Sequence, residues 1–208
     1  MRMKQIYPSK FLYQLNKTFN TIVIPSDLMD VDAIPIDNML RAIGYSVTVK
    51  PKPANQKGYK FEVDFDTKTI FVNSCSSTNN NNVDDRVESY PMRVKLANVF
   101  AFELYAKLNR IVDVSPNKLT NEQAELIHSL AEQILTPKPL VENVVGNVLN
   151  VLDPNLADFS TAKINTIAFR VADVLQVPKQ FILNRLDLCN YVSYLNSSIL
   201  NVDEEGEH

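Results

Sequence analysis

Apolar residues at helical spacing dominate this chain. Between residues 93 and 108 the sequence R-V-K-L-A-N-V-F-A-F-E-L-Y-A-K-L places Leu96, Ala97, Phe100, Ala101, Leu104 and Leu108 three or four apart, continuing to Ile111. One face is then continuously apolar, and a buried helix is expected there. A shorter amphipathic helix is expected over 10–20, with Phe11, Leu12, Leu15 and Phe19 as its stripe. The β-branched run 21–24 reads as a short strand. Residues 36–43 read as a helix closed by Gly44 in the left-handed conformation. Residues 45–49 alternate like a strand that Pro51 and Pro53 stop. Residues 59–65 alternate again, with Phe61, Val63 and Phe65 on one face. A turn at 66–68 and a return strand at 69–72 complete a hairpin, and the first strand joins it in a small sheet.

The polar stretch 74–88 contains four consecutive asparagines, Asn79 to Asn82. It cannot bury a core and reads as a mobile loop, a surface insertion in preference to a wall of a substrate cleft. Past the central helix, Thr120 is placed to cap the next one, with Gln123 at the reciprocal capping-box position. Ala124, Ile127, Leu130, Ala131, Ile134 and Leu135 form that helix's stripe, and Pro137 and Pro139 end it. Residues 140–152 form a further amphipathic helix, stopped at Asp153 and Pro154. In 167–186, Ala172, Leu175 and Val177 followed by Ile182 and Leu186 have helix-turn-helix spacing. From residue 201 the chain is an acidic tail with a single apolar residue, Val202, and is expected to be disordered.

The pattern therefore predicts an α+β fold: a small, mainly antiparallel sheet with a helical core, followed by a helix-turn-helix-like segment. Its expected divisions are an N-terminal extension at 1–29, a main domain at 30–153, the helical segment at 154–195 and the tail at 196–208.

Composition narrows the function classes. A chain of 208 residues with 45% hydrophobic residues can build one substantial core. A net charge of -3 gives no global basic field for nucleic acid. Four basic residues between Arg2 and Lys17 read as a solvated face. Within 163–187, Lys163, Arg170, Lys179 and Arg185 stand against Asp173 and Asp187; four bases less two acids leave +2. That is thin for a recognition helix that must neutralise several phosphates. No apolar run nears the roughly 20 residues of a membrane span. The N-terminus lacks an apolar signal region, so secretion is not expected and a cytoplasmic location is. Cys75 and Cys189 are too few and too far apart for a disulfide framework. With only 4 glycines, a glycine-rich phosphate loop is also disfavoured.

The central helix resembles one from a family of enzymes. Zinc peptidases of the ImmA/IrrE family carry a helix of the form R-F-T-L-A-H-E-L-G-H-x-L. Laid on residues 93–104, its Arg, its Leu-Ala pair and its final Leu match Arg93, Leu96, Ala97 and Leu104. A second family signature, E-A-N-x-F-A-x-x-L-L-M-P, resembles 126–137 and ends on Ile134, Leu135, Thr136 and Pro137. The front of the family is similar too: a helix ending in Gly, a strand, and a hairpin whose last strand reads I-x-V-N, here Ile70 to Asn73. Its closing helical pair is similar at Val177, Arg185 and Leu186. The resemblance covers about 30 to 192.

The chemistry of that family is missing. The first zinc-binding His falls on Asn98, the catalytic Glu on Val99, the second His on Phe102 and the third ligand, a Glu, on Leu126. Two His four apart on a helix share one face and bind zinc together, while the Glu between them takes a proton from metal-bound water. Asn is a poor zinc ligand, and Val, Phe and Leu do neither job. Val99, Phe102 and Leu126 are expected to close or fill the former cleft. No cofactor is expected. A relocated metal site would draw on His128, Glu103 and Glu132, although a solvated or packing role is the simpler reading of each. His208 lies in the tail, and Cys189 reads as packing in an apolar stretch.

The resemblance implies a pseudo-peptidase. Active members typically belong to mobile elements and bacterial stress systems, and they cleave a helix-turn-helix repressor. A member without zinc is expected to bind such a protein stoichiometrically, as a regulatory protein of a phage or other mobile element. Three alternatives stand beside it: an active metal-dependent peptidase with displaced ligands, a weak DNA binder, and a structural or assembly protein. A homo-oligomer remains open.

Overall fold

A computed structural model describes residues 9–24, 33–51, 61–74, 85–111, 116–151 and 161–188. Among them the order is α1 (Ser9–Phe19), α2 (Ile36–Ala42), β1 (Ser46–Pro51), β2 (Phe61–Asp64), β3 (Thr69–Ser74), α3 (Asp85–Leu108), a 3-10 turn (Pro116–Lys118), α4 (Asn121–Leu135), α5 (Lys138–Val151), α6 (Thr161–Leu175) and α7 (Lys179–Leu188). The α+β class expected from the pattern holds, with seven α-helices and a three-stranded sheet among the described residues.

The sheet is mixed rather than mainly antiparallel. Its order is β1-β3-β2, with β3 parallel to β1 and antiparallel to β2. Alternation reports which face a residue takes but not which strand lies beside it, so the hairpin was legible and the parallel neighbour was not. In the hairpin turn, the Asp64 carboxylate accepts the N–H groups of Asp66 and Thr67, each at 3.0 Å. The backbone bond from Thr67, foremost, holds its carboxyl below the usual range.

The central helix starts eight residues earlier than the apolar stripe suggested. Asp85 to Glu88 belong to α3 and Ser74 to β3, while residues 75–84 of the expected loop lie outside the described residues. Pro91 lies within this helix and is exposed. The polar composition of 85–88, without an apolar stripe, is what places those residues in the expected loop. At the other end Leu108 is 60% exposed, so the buried stripe stops at Leu104.

The run 21–24 is not a strand; it turns sharply after α1. Asn16 accepts from the backbone N–H of Thr21 through its carbonyl (3.1 Å) and from that of Val23 through its side chain (2.9 Å). Val23 and Ile24 are nevertheless fully buried. Their β-branched side chains serve burial in a bend instead of a ladder.

Gly44 ends α2 with φ +95. The N–H of Gly44 donates to Arg41 and that of Tyr45 to Leu40, each at 3.0 Å, which is the Schellman pattern. At the start of α4 the capping box forms as expected: Thr120 Oγ1 accepts from the Gln123 N–H (3.2 Å), and Gln123 Oε1 accepts from the Thr120 N–H (2.9 Å). Within the α4 stripe Ala124 is exposed. Pro139 sits in the first turn of α5, where its absent N–H costs nothing.

The closing helical pair has the expected helix, turn, helix order. The turn uses Gln176 at φ 53 and buries Val177 completely. The pair shares one continuous hydrophobic core with the rest of the chain, running from Leu15 in α1 to Leu186 in α7. Arg93 ties them further: its Nε donates to the Gln176 carbonyl (3.1 Å) and its Nη2 to the Ile34 carbonyl (2.8 Å). Tyr90 adds a 2.6 Å bond to Asp173. No described helix is long and apolar enough to cross a membrane. The expected tail at 196–208, Cys75, Cys189 and His208 lie outside the described residues.

Candidate functional site

Helical periodicity places Lys95, Asn98, Val99 and Phe102 along one side of α3. That side meets the hairpin, and the two leave a groove of about 330 Å³ between them. Phe61, Val63 and Phe65 form the hairpin wall, while Pro116, Leu119, Ala124 and Ile127 close the far end where the 3-10 turn leads into α4. The surface is almost wholly apolar, and among the described residues Lys95 is the single titratable one lining it.

Val99 and Phe102 are each 5% exposed. The Phe102 ring stands edge-on to Phe65, centroids 4.9 Å apart. These two residues border the groove without filling it. Leu126 does not take part. It is 56% exposed and points to solvent. The register of α4 explains why: Ile127, Ala131 and Ile134 face the core at i, i+4 and i+7, and Leu126 lies one step off that stripe.

The residue that α4 does bring to Asn98 is His128. Its Nδ1 lies 3.4 Å from Asn98 Oδ1, and its ring meets Phe181 of α7 edge-on at 5.8 Å. The other end of the Asn98 amide is engaged within its own helix, Nδ2 donating to the Val94 carbonyl at 2.8 Å. One turn further along α4, Glu132 accepts from Asn184 of α7 at 3.4 Å. Burial pushes its carboxyl above the usual range, opposed by the Asn184 bond and by the charges of His128 and Arg185.

Glu103 lies elsewhere. It accepts a 2.6 Å bond from the Tyr45 hydroxyl at the junction of α2 and β1. The alternative metal set of His128, Glu103 and Glu132 is therefore not assembled. Among the described residues no three His, Cys, Asp or Glu side chains gather as a metal ion would need. The residues at the family's zinc positions do not fit zinc either: they offer one amide, already bonded, and apolar carbon.

Sequence reasoning missed three participants. Lys95 was recoverable, because it sits one turn before Asn98 and Val99. The hairpin wall was half legible, since Phe61, Val63 and Phe65 were assigned to one face but not to a partner. The pairing of Tyr45 with Glu103, 58 residues apart, leaves no local signal. No protein-family model, curated protein or solved structure matches this chain.

Proposed function

We propose that this protein is a non-catalytic ImmA/IrrE-like regulatory protein of a phage or other mobile element, acting by stoichiometric binding to a protein partner such as a helix-turn-helix repressor. One observation carries the reading. Asn98, Val99 and Phe102, the positions where that family holds metal and moves protons, together line an apolar groove whose other walls, among the described residues, contain no His, Cys, Asp or Glu. Hydrolysis needs a group that activates water, and the described residues of this groove offer none. An open apolar concavity is instead what a partner's side chains bury against. The scattering of His128, Glu103 and Glu132 disfavours the displaced-ligand peptidase.

The test mixes the purified protein with a helix-turn-helix repressor encoded beside it, with and without added zinc. A stable complex on size exclusion, saturating at one protein per repressor site with the repressor intact on a gel, is expected. Repressor fragments accumulating under sub-stoichiometric protein would establish turnover and overturn the reading. Absence of a complex with every helix-turn-helix protein of the host would overturn it in favour of an assembly role.

A further inference from the structure

We infer that the groove selects a partner segment in which a bulky apolar residue lies beside an Asp or Glu, and that Lys95 determines this preference. The inference rests on the binding reading above and names the chemistry of the bound partner. The groove offers an apolar floor, Val99 and Phe102, against an apolar wall, Phe61 and Val63. An inserted Leu, Met or Phe would bury its surface there with no polar group left unsatisfied. Lys95 is exposed and lines the groove together with Phe61 of β2. Its ammonium sits 5.4 Å from the centroid of the Phe61 ring, which holds the charge over the groove. Among the described residues no carboxylate is paired with it.

A lone unneutralised cation beside an apolar slot favours a ligand with one negative charge next to its apolar group. A small carboxylate such as a fatty acid shares that chemistry, yet the shape favours a protein. Small-ligand sites enclose most of their ligand, whereas this groove is open along one side and its volume lies at the low end for such sites. A side chain presented from another protein needs no such enclosure.

The experiment uses the full chain and two fluorescein-labelled peptides, Gly-Ser-Glu-Leu-Phe-Ser-Gly and its twin with Lys in place of Glu, read by fluorescence polarisation. The unmodified protein is expected to prefer the acidic peptide. Lys95→Glu should reverse the preference, weakening the acidic peptide roughly tenfold and strengthening the basic one. Lys95→Met should abolish the preference and serves as the check should the charge reversal fail to fold. Ala124→Trp, at an exposed position of the groove end, should weaken both peptides. Equal binding of both peptides to the unmodified protein, or an unchanged preference in folded Lys95→Met, would overturn the inference. So would decanoate binding in the groove while neither peptide binds, which would make it a small-molecule site. Repressor complexes that form equally well with folded Lys95→Glu would overturn it while leaving the stoichiometric reading intact, so the two failures are distinguishable.

Discussion

Phe102 shows how much a single ring can decide. It is nearly buried and meets Phe65 edge-on, yet one side borders the groove. Phe102→Ala is therefore expected to cost about 3 kcal/mol, the low end for a large core truncation, because the space it leaves joins an opening that water can already reach. A denaturant melt measures this; a loss under about 1 kcal/mol would mean that the ring adds nothing to the core. Tyr45 makes a second prediction. Burial first, then the bond to Glu103 and its negative charge, push the phenol well above its ordinary value of 10.0. The folded state thus holds this proton more tightly than the unfolded chain. That stability is complete below pH 10 and is lost as pH rises beyond it. Melts on either side of about pH 10 should show a decline that Tyr45→Phe flattens, at a cost of about 1–2 kcal/mol at neutral pH for the lost bond to a charged acceptor. At this scale the sequence was legible where chemistry is local, as at Gly44, Thr120 and the Leu96 to Leu104 stripe. The Asn98–His128 contact was not, since it depends on the rotation of two helices about their axes.

Among the elements, helices were easier to read than strands. The reciprocal cap of α4 was present in the sequence and forms as read, and its stripe is buried at Ile127, Ala131, Ile134 and Leu135 but not at Ala124. Thr120→Ala should cost about 1 kcal/mol. It should also speed amide exchange at Gln123, whose N–H loses its acceptor, and unchanged exchange there would show the cap to be idle. The 21–24 run failed for a reason of principle. β-branched residues fit a half-buried surface, and a bend held by Asn16 presents Val23 and Ile24 to the core as well as a strand would. The start of α3 was hidden by the polar character of the run to Glu88, which carries no apolar stripe, and α3 continues through Pro91 despite its missing N–H. Leu126 was misplaced by one step of helical rotation, enough to carry it from the cleft to the solvent.

Across the whole molecule, the amount of apolar sequence foretold one core, and the structure has it, from Leu15 to Leu186. Arg93 reaches two of its outlying parts at once, the Gln176 turn and the segment before α2. Arg93 thus has a structural role of its own, independent of any catalysis. The groove itself could not be read from the sequence. It lies where the hairpin, α3 and the entry to α4 fail to close on one another, and periodicity describes where elements pack, not where they stop short.

The strand order has a consequence for how the chain comes into being. In β1-β3-β2 the middle strand is the last to be synthesised. A growing chain that has not yet reached Thr69 carries β1 and β2 with nothing for either to pair with, six residues and four of open backbone. Once β3 emerges, the hairpin closes over a short turn within about 1–10 μs. The parallel pairing with β1 must close a longer loop and follows it. The ribosome thus holds this sheet open until its final strand arrives, and a pause in translation before Thr69 would prolong the state in which those edges can seek another chain.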